Sequence, residues 1–412
     1  VVFLSGTTRG ATLEGIGRSW GAGFEAFGMQ CIEMKLSDPA QFNEILKTLD
    51  FSRVRLIFSW ISMGVDVQAC REDGTTFTLW ESLNIPCLSF HGDSPAYFFD
   101  RHVVRDNSVV SMYGFTEHLE VRKRLGKMNG PVDTYWPAVL DDIPREKLDF
   151  HTKRQGKLLF LKNGKDPAEI RSIWAQILPQ RALRAILEIA AELVRDLDNP
   201  ANRQIDDLVT RYLQDRGFDP EHLFKLRLLF IAQLDDYLRA VKSTRMAEAL
   251  MNFPVEIRGN NWSHLDFTGK KAQYIDDCDY AKSVGLIRNS LGIIDMSPNT
   301  GSRPHDRPMR AYGSHTVCLT NEQEFLEELP HQDRLSFRFE KGHLEHQIAC
   351  LLEHKDQALE AGIDVAATYR QKHTSEQLVQ RMLDWASFLS ANNLRERPAC
   401  IQDFVVWPPK HG

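Results

Sequence analysis

Short apolar runs alternate with amphipathic stretches through the first third of the chain. Val1–Leu4, Gln30–Met34, Val54–Trp60 and Ile85–Phe90 read as strands, and Leu13–Phe27 and Pro39–Leu49 as the helices between them. Val109–Tyr113 and Asp133–Trp136 predict two later, shorter strands of the same sheet. Strands that are apolar nearly throughout belong to parallel sheets covered on both faces. The rhythm therefore predicts a doubly wound α/β domain over residues 1–150.

The polar stretch Asp141–Gly156 predicts a linker, and Lys157–Leu161 opens a second αβ unit. From Ser172 to about Asn252 the pattern is helical: Leu183, Ile186, Leu187 and Ala190 make an i, i+3, i+4, i+7 stripe, and Leu223–Val241 reads alike. Alternation resumes with strands at Val255–Arg258, Lys271–Tyr274, Gly292–Met296 and Thr316–Leu319, then helices at His343–Ala361 and Ser375–Ala391. The outline is two doubly wound domains, 1–150 and 156–374, with a helical insert over about 172–252 and a terminal segment 375–412.

Composition excludes more than it assigns. The 412 residues carry 50 Lys+Arg against 56 Asp+Glu, a net charge of −6, which argues against an extended nucleic-acid-binding face. The longest greasy run, Leu226–Leu234, is broken by Arg227 and Gln233 and followed by Asp235 and Asp236. No run reaches the ~18 apolar residues of a membrane span, so the expectation is no transmembrane segment, with peripheral membrane association left open. The seven cysteines include no C-x-x-C pair, which predicts neither a disulfide framework nor a zinc site. Without a basic-then-apolar leader, the expected location is the cytoplasm or the inner face of its membrane.

In doubly wound sheets ligands sit beyond the carboxyl ends of the strands, so the turns after strands carry the candidate chemistry. The first is Gly6-Thr7-Thr8-Arg9-Gly10, whose glycines let a ligand approach backbone N–H groups. With Gly15, Gly17 and Gly21 the spacing is not G-x-G-x-x-G, so a substrate-facing loop or a structural turn fits better than a dinucleotide site. The second turn, His91-Gly92-Asp93-Ser94-Pro95, offers a base and a carboxylate, although Asp93 would serve equally as a helix cap. In the third, Lys162-Asn163-Gly164-Lys165-Asp166-Pro167, Lys165 stands where a helix begins, a place for a diphosphate. The richest runs from Met296 to Gly313 and holds Asn299, Arg303, His305, Arg307 and Arg310 between a strand and small residues. Arginine's forked donors suit phosphate oxygens. Finally, Gly259, Asn261 and Trp262 end another strand, with an indole on which a base or sugar would stack, or which would lie in the core.

The order of these motifs resembles the GT-B glycosyltransferases, and most closely the bacterial group related to the spore-maturation protein CgeB, of glycosyl transferase group 1 type. That group's "LN-x-SPN…R…G…LTN" pattern is matched by Ile294-Asp295-Met296-Ser297-Pro298-Asn299, Arg307, Gly313 and Leu319-Thr320-Asn321. Its "x-G-x-x-W" element is matched by Gly259 and Trp262, its "IP…D-x-P" element by Pro86, Asp93 and Pro95, and its "YLP-A" element by Tyr135-Trp136-Pro137-Ala138. One departure is Pro308, where many GT-B enzymes have a ribose-binding glutamate.

The resemblance implies two Rossmann-like domains facing a cleft, acceptor in the first and nucleotide sugar in the second, with the last helix crossing back to the first. It implies metal-independent sugar transfer from a nucleotide-sugar co-substrate to a glycan or other hydroxyl acceptor, without a cofactor. Lys165, Arg303, Arg307 and Arg310 are expected on the leaving phosphate. Asn163, Gly164, Gly259, Asn261 and Trp262 are expected to line the donor pocket, with Asn299 and His305 near the sugar or phosphate. Gly6, Thr7, Thr8, Arg9 and Gly10 would face the acceptor. Asp93, with His91 in reserve, would be the base of an inverting reaction. A nucleotide-sugar epimerase and a non-catalytic sugar-nucleotide binding module are the alternatives.

Overall fold

Two six-stranded parallel sheets organise the chain. The computed structural model describes residues 1–6, 8–70, 76–103, 108–126, 130–340 and 342–392, and the backbone of 405–406. Contacts divide it into two units, the first made of Val1–Leu140 with the segment from His373 onward, the second of Asp141–Lys372.

The first unit holds strands β1 (Val2–Ser5), β2 (Ile32–Lys35), β3 (Ile57–Trp60), β4 (Gln68–Cys70), β5 (Thr76–Thr78), β6 (Cys87–His91), β7 (Val109–Tyr113) and β8 (Val132–Thr134). Its main sheet runs β2-β1-β3-β6-β7-β8. The fully buried strands β1, β3, β6 and β7 are the ones read as continuous apolar runs. Helices α1 (Thr12–Gly23), α2 (Pro39–Thr48), α3 (Leu79–Ser82), α4 (Phe99–His102) and α5 (Thr116–Arg124) connect them. Gly17 lets α1 close on the sheet, since a Cβ there would lie 2.1 Å from the Phe3 ring.

The second unit has β9 (Leu158–Leu161), β10 (Val255–Arg258), β11 (Gln273–Ile275), β12 (Gly292–Asp295), β13 (Val317–Asn321) and β14 (Ser336–Phe337). Their order, β11-β10-β9-β12-β13-β14, reverses direction between β9 and β12. Its helices are α6 (Phe150–Gln155), the insert α7 (Pro167–Ile177), α8 (Gln180–Arg195), α9 (Ile205–Gln214) and α10 (Phe224–Leu250), then α11 (Tyr280–Arg288), α12 (Asp306–Gly313), α13 (Gln332–Leu335), α14 (His343–Glu353) and α15 (Lys355–Lys372). The helix α16 (Ser375–Asn392) lies in the first unit, where its Trp385 donates to Asp133 at 2.8 Å. A last strand, β15 (Val405–Val406), pairs antiparallel with β4.

Two expectations change. The helix read as His343–Ala361 is two, because His354 leaves helical geometry at φ −108, ψ 55. The stretch read as a polar linker contains α6, whose Lys153 is fully buried. Its ammonium donates to the carbonyls of Arg288 and Ser314, at 3.1 and 3.2 Å, and to Thr316 Oγ1 at 2.6 Å. Three acceptors satisfy its three donors, which is what makes the burial of a cation tolerable.

Candidate functional site

The reversal between β9 and β12 is the switch point at which doubly wound sheets bind ligands. Lys162 follows β9 directly, and Asp295 is the last residue of β12. Two interlocked turns wall the site. Gly164 donates to the carbonyl of Asn260 at 2.8 Å, the amide of Asn260 donates to Asn163 Oδ1 at 2.8 Å, and Trp262 Nε1 donates to the Lys162 carbonyl at 2.9 Å. A Cβ on Gly259 would sit 2.0 Å from that same carbonyl oxygen, and φ is +155°. Gly259→Ala is therefore expected to lose at least about 2–3 kcal/mol of stability in denaturant titration. An unchanged midpoint would show that the turns do not interlock.

The structure thus brings Asn163, Gly164, Gly259, Asn261 and Trp262 together. It also changes the role open to Trp262. The indole is 1% exposed, between Phe160 and His264, so it packs the turn and offers no face to a base.

The cations sort differently from the sequence reading. Lys165, just outside the N-terminus of α7, is half exposed and paired with Asp236 of α10. Arg307 donates from Nε to the fully buried Asp295 and from its amino group to the carbonyl of Met296 at 3.3 Å. Burial would lower its basicity, but Asp295 and Asp306 more than offset this and raise it. Arg310 lies one helical turn beyond Asp306 and points inward, to Asp306 at 2.5 Å and Ser283 Oγ at 2.6 Å, over the Tyr280 ring. Both terminal nitrogens of its guanidinium are committed to these partners. His305 stands at the N-cap position of α12, and its side chain pairs with Asp306. Burial would raise the Asp306 carboxyl, but His305, Arg310 and Arg307 hold it well below the usual range. Asn299 is buried, giving Nδ2 to Asp235 Oδ1 at 2.8 Å and taking Lys242 Nζ at 3.2 Å. Arg303 is buried in the same loop.

The sequence reading passed over Lys162, Arg239 and Lys242. The Lys162 ammonium makes no hydrogen bond or ion pair among the described residues. Its pKa is pulled down to about 7, first by burial, then by Arg307 and Arg239, against the opposing pull of Asp295 and Asp306. Asp235, Arg239 and Lys242 occupy i, i+4 and i+7 of α10, with Arg239 2.9 Å from Asp235. Burial lowers Lys242 to about 8. A charged stripe on an otherwise greasy helix was the available signal.

In the first unit, Thr8 donates its amide to Glu14 at 2.7 Å and its hydroxyl to the same carboxylate, closing the segment that contains Arg9 and Gly10, while Gly6 directly follows β1. Thr7 lies outside the described residues. Asp93 is partly exposed just past β6. His91, two residues earlier, is 1% exposed, 3.1 Å from Ser89 Oγ, with its ring centroid 4.1 Å from His102 and 5.1 Å from Tyr113. A general base needs access to the acceptor hydroxyl, so burial removes His91 from that role.

Burial, then Arg122 and His118, lower His91 to about 3, and burial foremost lowers His102 as well. With its folded pKa depressed, His91 binds fewer protons folded than unfolded between about pH 6.5 and 3. Its neutral form supports the fold fully above that window, and the support is lost as pH falls. We expect about 2–3 kcal/mol less stability near pH 4.5 from His91 alone. Thermal unfolding of His91→Phe should show a flatter acid limb than wild type, and an identical limb would refute the assignment.

Residues 238–384 match the protein family described as glycosyl transferase-like, a span that includes Arg239, Lys242, Asp295 and Arg307. None of the curated proteins matches the chain. Among solved structures it is similar to T4 phage BGT in complex with UDP and Mn2+, at 8% identity and a TM-score of 0.50, covering 93% of this chain and 98% of that one. It is also similar to AviGT4, a glycosyltransferase involved in avilamycin A biosynthesis, at 10% identity and a TM-score of 0.46, covering 95% and 98%. HepE from Anabaena, in complex with UDP and glucose, matches at 10% identity and a TM-score of 0.41, covering 93% and 98%. The likeness to the T4 protein is one of fold, and the two doubly wound units are those of GT-B. The architecture is thus that of GT-B, and the family match covers much of the second unit and the start of α16.

Proposed function

We propose that the chain transfers a sugar from a nucleotide-sugar donor, held by the second unit, to the hydroxyl of a glycan or another acceptor. The observation that carries this reading is the ammonium of Lys162 at the sheet's switch point, which makes no hydrogen bond or ion pair among the described residues and is depressed by Arg307 and Arg239 more than Asp295 and Asp306 restore it. A site that keeps positive charge short of counter-charge gains stability when a diphosphate enters. Lys162, Arg239, Lys242 and Arg303 supply that charge in place of a metal ion, and the leaving diphosphate is stabilised as its negative charge develops. Asp93, at the carboxyl edge of the first unit's sheet, is the proposed base if the reaction inverts the anomeric centre.

The test is a thermal-shift screen of the full chain with nucleoside diphosphates, run with and without a chelator. UDP, which T4 phage BGT holds in its solved structure, is the first probe. We expect at least one nucleotide to raise the unfolding temperature, with the rise retained in chelator. No shift with any nucleotide at concentrations of about 1 mM would overturn the donor-site reading. A shift lost in chelator would overturn metal independence alone.

A further inference from the structure

One turn of the helical insert, between α8 and α9, reaches the loops at the carboxyl edge of the second sheet. Its short helical stretch Pro200–Arg203 ends in an arginine whose side chain is only 19% exposed. Arg203 Nη2 donates to the carbonyl of Glu322 at 3.0 Å, and Nη1 to Glu324 Oε1 at 2.6 Å, both just past β13. The same guanidinium lies against Gly301, in the loop that follows β12: a Cβ there would meet Nη1 at 2.4 Å and Cζ at 2.5 Å. The Gly301 carbonyl in turn accepts the Phe325 amide at 3.3 Å. Arg203 thus holds together the loop that carries Asn299 and Arg303 and the segment after β13.

The rest of the turn supports this hold. Asp198 accepts the amides of Phe339 and Glu340, just past β14, at 2.9 and 3.1 Å. Buried Asn202 fixes the turn itself, donating Nδ2 to the carbonyls of Leu193 at 3.0 Å and Asp196 at 2.8 Å. Burial foremost lowers Lys242, and the charges acting on it include Asp198, which raises it, and Arg203, which lowers it, so the turn also borders a proposed donor cation. The ion pair with Glu324 does not by itself explain the arrangement, because Glu324 is 63% exposed and such pairs contribute little to stability. Positioning does explain it. A loop without regular structure loses conformational freedom when a ligand orders it, and holding it beforehand removes that cost from binding.

We propose that Arg203 is a positioning residue that sets the loop after β12 for the nucleotide-sugar donor, an inference that rests on the donor-site reading above. The experiment compares the full chain with Arg203→Met, Gly301→Ala and the double substitution, by hydrogen exchange and by calorimetric titration with UDP. Exchange needs no ligand. In Arg203→Met the segments 297–302 and 322–326 should lose at least about tenfold in protection while the remaining sheet keeps its own. The methyl group added by Gly301→Ala displaces the guanidinium, so that variant should show the same local loss. Each single variant should bind UDP at least roughly tenfold more weakly, and the double no more weakly than the worse single, because both substitutions remove one contact. Unchanged exchange in those segments would overturn the proposal. So would UDP affinity equal to wild type in a variant whose loop has loosened, or losses that simply add in the double. A wild-type chain that does not bind UDP would count against the donor-site reading, whereas the exchange result still decides whether Arg203 holds the loop.

Discussion

Arg307→Ala should lose about 3–5 kcal/mol of stability, as when one partner of a buried ion pair is removed. Arg307 would at first sight be a phosphate ligand, since it stands in a basic loop after a strand. Its Nε is instead bound to Asp295, which is wholly buried at the end of β12. Removing the guanidinium leaves a buried carboxylate without its hydrogen-bonded partner and with only the Lys162 ammonium nearby, and the cost is that of the abandoned anion more than of the lost bond. The diagnostic is the double substitution. Asp295→Leu/Arg307→Met removes both charges and should return stability to within about 1 kcal/mol of wild type, because a buried pair contributes little net against an apolar isostere. A double variant as unstable as Arg307→Ala would show that the guanidinium is needed for something other than Asp295. Urea titrations of the three proteins decide it.

Lys162→Met should behave in the opposite way. Transfer is expected to fall by roughly 100-fold or more, as when a preorganised charge is removed from a leaving group. Stability should hold or rise, because the ammonium has no partner to lose and is repelled by Arg239 and Arg307. The same physics gives a pH signature. The free site has its lysine pKa at about 7, and a bound diphosphate would raise it. Nucleotide affinity should therefore be full below pH 7 and decline as pH rises above it, with proton uptake on binding near neutrality. Calorimetry in buffers of different ionisation enthalpy measures that uptake. Wild-type kinetics in Lys162→Met, or affinity flat from pH 6 to about 9, would remove the residue from the site.

The contrast between these two residues shows how far the chain can be read before it is folded. The turn Lys162–Pro167 is visible as a phosphate candidate because it follows an apolar strand and precedes a proline-led helix. Which of its two lysines faces the ligand is another matter. Residue 162 directly follows the central strand β9 at the switch point, whereas residue 165 meets Asp236, 71 positions away on the insert. Likewise Arg303, Arg307 and Arg310 look equivalent along the chain. Asp295, Asp306 and Ser283 separate them by taking two out of reach. His91 looked like an accessible base because it ends a strand, yet His102, Tyr113 and Ser89 enclose it.

By itself the sequence determined two doubly wound units, the helical insert between β9 and β10, and the turns at which chemistry is concentrated. Those properties come from apolar periodicity and turn chemistry within a few residues, and neighbouring positions carry them. Only the tertiary structure decided which cations remain without a counter-charge, which are used to neutralise buried carboxylates, and which aromatic and imidazole rings are sealed into the core. Charge compensation and burial are properties of pairs brought together from distant parts of the chain, and a local pattern holds no record of the partner.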